Sequence, residues 1–183
     1  MPSTIKKDRK GELCDASASL IERWCRAGKM WRIDTGYKTL AALNDYATIT
    51  FKTPATGVIY YNFAGLSKSG NEIVKSLIEG CTISGGTVTA PKNFNRNIPD
   101  SACLFTAIKV GLSTDATPTT ITGGTEIFPD LAAGTAQGKS IPGEQSVLSG
   151  VLILKNNTVY ALKLLAKGAA TFAAYVGIAV VVE

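Results

Sequence analysis

The chain contains no histidine. That absence removes the commonest general base at neutral pH, and with it every Ser-His-Asp or Cys-His nucleophile arrangement. Cys14, Cys25, Cys81 and Cys103 stand far apart with no CxxC pair among them, so the common zinc patterns are missing too. No metal and no cofactor is expected. Charged residues make up only 18% of the chain, which leaves little material for long amphipathic helices. No apolar run reaches the roughly 18 residues of a membrane span, because the best stretch is broken by Gly177 and closed by Glu183. The N-terminal MPSTIKKDRK is basic but leads into no apolar core, so a secretory signal is not expected, and the four cysteines are read as free thiols in a reducing compartment.

The remaining candidates for chemistry are weak. Asp34/Asp45 and Asp100/Asp115 are the nearest carboxylate groupings, and their neighbours (Gly, Asn, Pro, Thr) make them turn residues in preference to an acid/base pair. Gly85-Gly86-Thr87 and Gly123-Gly124-Thr125 look alike, but neither continues into the GK[ST] of a phosphate loop. No catalytic residues are assigned, and a non-enzymatic protein is expected.

What the chain does contain is 183 residues with 45% hydrophobic content, 18 glycines and many short β-prone runs. That is enough for one core. YATITF (46–51) alternates cleanly, and a Pro/Gly turn at 52–57 joins it to VIYYNF (58–63), which predicts an antiparallel pair. CTISGGTVT (81–89) reads as a hairpin about Gly85-Gly86 or as a bulged strand, and 102–112 as a further strand. The C-terminal run predicts a meander: strands at 148–154, 158–165 and 171–182, turned at Lys155-Asn156-Asn157 and Lys167-Gly168. Phe172 to Val182, with Tyr175 its one polar residue, reads as buried on both faces. It is either a central strand or one covered by a second subunit.

Two segments have helical spacing. Leu20, Ile21 and Trp24 share a face in a short helix ended by Ala27-Gly28, with a strand the competing reading because Leu20-Ile21 and Trp24-Cys25 are also apolar pairs, and Ile73, Val74, Leu77 and Ile78 share one between Asn71 and Gly80. Lys29 to Asp34 predicts a short strand stopped by the turn Thr35-Gly36, 91–100 a surface loop, and 113–147 a long loop with a short strand at Glu126-Ile127-Phe128. The fold class expected is all-β: an antiparallel β-sandwich, jelly-roll-like, with a basic N-terminal arm and one or two short helices, a β-barrel being the alternative. Residues 1–30 form the arm and 31–183 the body.

Charge follows this division. Residues 1–32 carry eight Lys/Arg against four Asp/Glu, a net +4, and the rest carries 11 against 10, a net +1. Lys6, Lys7, Arg9 and Lys10 are candidate contacts to an acidic neighbour, with Leu20, Ile21, Trp24 and Trp31 as apolar anchors. Two other readings compete for these residues. The arm docks onto an acidic protein surface with the tryptophans packed, or Trp24 and Trp31 interleaved with Arg23, Arg26 and Arg32 contact nucleic acid. Nucleic acid is the less favoured partner.

The block from Trp31 to Thr87, then NFNRN (Asn93 to Asn97) and LKNNTVYALKLLAKG (Leu154 to Gly168), resembles virion structural proteins of tailed bacteriophages, in which an LKPNTTY-like turn precedes a late sandwich strand. Asn156 stands where Pro is common in that turn. The resemblance implies a capsid decoration or cement protein, often a homotrimer, bound to the major capsid protein of a virion assembled in the host cytoplasm. It transfers no catalytic residues. A tail, portal-vertex or fibre-like adaptor is the structural alternative, and a carbohydrate-binding sandwich stacking sugars on Trp31, Tyr60, Tyr61 and Phe63 is the alternative from another class.

Overall fold

The computed structural model describes residues 5–7, 13–15, 20–68, 73–132, 152–168 and 172–182, with side chains described for 22–36, 38–59, 73–127, 152–168 and 177–182. Before the body come β1 (Ile5–Lys7), β2 (Leu13–Asp15) and the helix α1 (Leu20–Arg26). The body follows with β3 (Met30–Leu40), β4 (Tyr46–Lys52), β5 (Ile59–Lys68), β6 (Ile73–Glu79), β7 (Thr82–Ser84), β8 (Thr87–Val88) and β9 (Lys92–Asn93). Its second half holds β10 (Thr106–Leu112), β11 (Thr120–Thr122), β12 (Thr125–Ala132), β13 (Leu152–Leu154), β14 (Val159–Ala166) and β15 (Phe172–Val182). Sheet I has the order β13-β5-β15-β3-β9, and sheet II the order β12-β6-β14-β4-β10-β8.

The ladders nest. β3 pairs with β15, β4 with β14, β5 with β13 and β6 with β12, all antiparallel. First with last, second with second-last: this is a long double ribbon rolled into two facing sheets, the jelly-roll form of the sandwich. Residues 80–124, between β6 and β12, are an insertion into that roll. They lengthen sheet II by β10 and β8, lengthen sheet I by β9, and form the separate two-stranded ribbon β7–β11. The all-β sandwich expected from the sequence is therefore the fold.

Most turns fall where the residues put them, but the strands they join do not pair with each other. β4 and β5, expected as a pair, lie in opposite sheets. β7 and β8 diverge at Gly85-Gly86, with β7 pairing to β11 and β8 to β10, so the hairpin reading is replaced by a crossing. The C-terminal meander is corrected in the same way, because β13, β14 and β15 alternate between sheets I, II and I. Asn157 does adopt the positive φ (50°) expected of that turn. A tight reversal is compatible with a return into the same sheet or a step across the sandwich, and the nested long-range ladders select the step.

Other expectations also change. The segment 73–79, at helical spacing, is strand β6, flanked by β12 and β14; Ile73 and Leu77 enter the core from it, so ladders on both sides override the helical pattern. α1 is accordingly the only α-helix among the described residues. Thr35-Gly36 is no turn but a bulge within β3, where the register with β15 slips between Tyr37 and Asp34, Gly36 takes φ 65° and the Asp34 carboxylate accepts the Gly36 amide at 3.0 Å. The long loop expected at 113–147 contains β11 and β12 up to Ala132, and its remainder lies outside the described residues. β12, at the edge of sheet II, carries a bulge at Ile127 and Pro129 in its middle, two features that discourage further strand addition.

Between the sheets Phe51 stacks on Tyr160 (5.8 Å between centroids, 21°) and meets Phe105 edge-on (5.8 Å, 81°), with Ile33, Ile49, Ile59, Leu162, Leu164, Ile178 and Val180 around them. The buried Tyr160 hydroxyl donates to Glu79 Oε2 (2.7 Å) and accepts from the Lys155 amide (2.9 Å), while Lys155 Nζ pairs with Glu79 Oε1 (2.6 Å). Burial, then the Glu79 hydrogen bond, pushes the Tyr160 hydroxyl far up; the bonds from Lys155 and Tyr160 hold Glu79 low. This network ties the β13–β14 turn to the end of β6.

Part of each outer face of the sandwich is covered by the chain's own segments. On sheet I, Trp24 of α1 packs on Met30 and Val181. β15 is thus a central strand: Ile178 and Val180 face sheet II, Val181 faces the helix, and covering these residues needs no second subunit. On sheet II, Thr48, Thr50, Ala161 and Ser76 are buried on the face turned away from the core, where Tyr46 Oη donates to the Thr119 carbonyl (3.0 Å) and Thr48 Oγ1 to the Gly111 carbonyl (3.2 Å).

Candidate interaction surface

α1 ends as its sequence predicts. Gly28 takes φ 67°, and the amides of Ala27, Gly28 and Lys29 return to the carbonyls of Arg23, Cys25 and Trp24. A β-carbon at Gly28 would lie 2.6 Å from Ile98 Cγ1, so this glycine also admits the loop that follows β9. That loop, Asn93 to Asp100, is welded to the helix end. Asn93 Nδ2 donates to the Gly28 carbonyl (2.7 Å), Asn95 Nδ2 to the Arg26 carbonyl (2.8 Å) and the Phe94 amide to the Met30 carbonyl (3.1 Å). Asn93 is itself fully buried.

The loop is rigid for reasons visible in its own residues. Asn93 Oδ1 accepts the Asn95 amide (2.7 Å) and Asn95 Oδ1 the Asn97 amide (3.1 Å), two consecutive turns closed by asparagine side chains. Asp100 gathers the rest, accepting from the Asn93 amide (3.0 Å), Lys92 Nζ (2.9 Å) and Arg96 Nη1 (3.0 Å). The Asn93 amide and then Lys92, with Arg96 adding to them, hold the Asp100 carboxyl down at about 2.

The charge around this weld is predominantly positive. Arg23, Arg26, Lys29, Lys92 and Arg96 are exposed there against Glu22 and Asp100, five cations to two anions. Phe94 lies among them, 43% exposed. From sequence, 91–100 reads as a surface loop and Arg23 and Arg26 as candidate nucleic-acid contacts, while Lys29, Lys92, Phe94 and Arg96 receive no role; the Asn-x-Asn-x-Asn spacing is the available signal.

The residues named from sequence are placed as follows. Trp31 is 3% exposed and belongs to the main core, and Trp24 is 6% exposed beneath α1. Both pack within the chain, so the anchor reading of these two is corrected in favour of internal packing. Burial of Trp31 also removes it as a sugar platform; the side chains of Tyr60, Tyr61 and Phe63 lie outside those described, as do those of Leu20 and Ile21 on α1. Lys6 and Lys7 are on β1, opposite Cys14 and Leu13 of β2, so the basic arm contains an antiparallel ribbon. Arg9 and Lys10 lie outside the described residues.

Cys25, Cys81 and Cys103 are free, and burial pushes all three thiols up, Cys103 to about 11. They are poor nucleophiles at neutral pH. Among the described residues there is no group of three or more Cys, Asp or Glu placed to hold a metal ion, and no helix is long and apolar enough to cross a membrane. Compared with family models, curated proteins and solved structures, the chain matches none.

Proposed function

We propose that the chain is a non-enzymatic structural component of a tailed-phage virion, a decoration or cement protein that binds the major capsid protein, stabilises the head and assembles as a homotrimer. The observation that carries this reading is the nested eight-strand roll joined to a basic ribbon and helix. Jelly rolls are recurrent in viral capsid proteins and lectins, although a fold alone assigns no function. The chemistry supports the same reading: no histidine, high thiol pKa values, and carboxylates that cap turns or sit in ion pairs.

The division of labour within the arm follows from the packing. α1 packs on sheet I, so it belongs physically with the body, and the docking element is the ribbon β1–β2 with Lys6 and Lys7, Arg9 and Lys10 lying between its strands in the sequence. Removing residues 1–15 is expected to leave the melting transition of the body in place and to abolish association with phage heads. Heads that retain the truncated protein at full occupancy would overturn the arm's role. Quantitative mass spectrometry on purified particles tests the location: copies on the order of hundreds fit decoration, whereas about a dozen fit a vertex ring.

A further inference from the structure

Among the residues with described side chains Phe94 is the only exposed aromatic. Solvent gives no reason to hold such a side chain in place, yet the backbone on both sides of it is fixed. Its own amide is bonded to Met30, and the side chains of Asn93 and Asn95 are bonded to the end of α1. Resting on the virion reading above, we infer that Phe94 is the anchor of a protein-docking knob whose partner is an acidic surface with an apolar socket on the capsid shell.

Three observations carry this. The knob is pre-organised, so docking Phe94 immobilises little that was free before, which is the condition under which one aromatic contributes most to an interface. Its surround is net positive: Arg26 and Lys29 on the helix side and Lys92 and Arg96 on the loop side outnumber Glu22 and Asp100, which complements an acidic neighbour and steers its approach. The third observation separates protein from nucleic acid. Single-strand binders stack successive bases on several aromatics, whereas Phe94 is the only exposed aromatic among the described side chains.

The test uses heads from a phage strain deleted for this gene and the purified full-length chain, wild type or variant, added back. Phe94→Ser is expected to weaken head binding at least tenfold, and Phe94→Gln similarly, each with a melting temperature close to wild type because the side chain is exposed. Val88→Ser, at an exposed apolar residue of β8, serves as control and is expected to bind as wild type. Wild-type binding that neither Phe94 variant reduces would overturn this inference and leave the virion reading standing. Failure of the wild type to bind heads at all would overturn both. A Phe94→Ser defect seen with a single-stranded oligonucleotide instead of with heads would replace the protein partner by nucleic acid.

Discussion

On the outer face of sheet I about two turns of helix set Trp24 above Met30 and Val181, while on the outer face of sheet II the segment at Thr119 lies against Tyr46 and Gly111. The first cover works through one large side chain filling a gap between helix and sheet. The second works through the lack of side-chain bulk: Thr119 lies so close to Gly111 that a β-carbon there would overlap its hydroxyl, and at Gly85 it would overlap the Pro118 carbonyl. Burial reaches a similar depth on both faces by opposite routes. A bulky cover should fail by loss of volume, and a flat one by gain of it.

Trp24→Ala is expected to have the largest effect, about 4 kcal/mol of lost stability as for other buried tryptophans, read from urea unfolding. New dye-binding surface should appear at Met30 and Val181 while the β signal of the roll persists. A loss below about 1 kcal/mol would mean that the helix contributes little as a cover. Gly85→Ala comes next, at roughly 3 kcal/mol, because positive φ and the Pro118 overlap act together. Hydrogen exchange at the Ile83 and Ile121 amides should accelerate, and unchanged exchange there would show that the ribbon β7–β11 tolerates bulk.

Thr50→Val sharpens the contrast from the other side. Thr50 Oγ1 and Thr119 Oγ1 are buried without a hydrogen-bond partner among the described residues, so replacing the Thr50 hydroxyl by a methyl group of nearly the same shape is expected to stabilise the chain by up to about 1 kcal/mol. A destabilisation of that size would reveal a bond to this hydroxyl that the described residues do not supply.

The smallest effect concerns the weld that braces the helical cover. Asp100 is held down at about 2 when folded against an unfolded value near 4. Its contribution is therefore complete above about pH 4 and is lost as pH falls toward 2. The stability difference between the wild type and Asp100→Asn should close over that window. A difference that stays constant from pH 5 to pH 2 would show that the carboxylate's charge is irrelevant to the weld.

The sequence was informative about local reversals and about the class of fold. Gly28, Asn157 and the Pro/Gly segment 52–57 all turn the chain where their chemistry says they should, and alternation in YATITF marked β4 correctly. It was silent on which sheet each strand joins, since Ile59 finds Leu154 and Ile33 finds Ile178 across separations that no local pattern encodes. The helical spacing of Ile73, Val74, Leu77 and Ile78 misled because the same four residues also serve a strand sandwiched between two neighbours. Trp24 and Trp31 drew attention as basic-flanked aromatics although both are core, while Phe94, outwardly less conspicuous, is the exposed one. Its signal lay in the alternating asparagines that hold it, which only the contacts with Gly28 and Arg26 make legible.

The nested ladders have a consequence for how the chain is made. Sheet I has its centre, β15, at the late end of the sequence, between β3 and β5, which leave the ribosome far earlier. Until β15 arrives, both of those strands present unpaired edges, and Ile33 must wait for a partner 145 positions downstream at Ile178. Such long-range closure is slow and leaves partly made chains open to pairing with one another. Shortening the chain within β15 should therefore raise the aggregated fraction, more abruptly than an equal loss from the N-terminal ribbon.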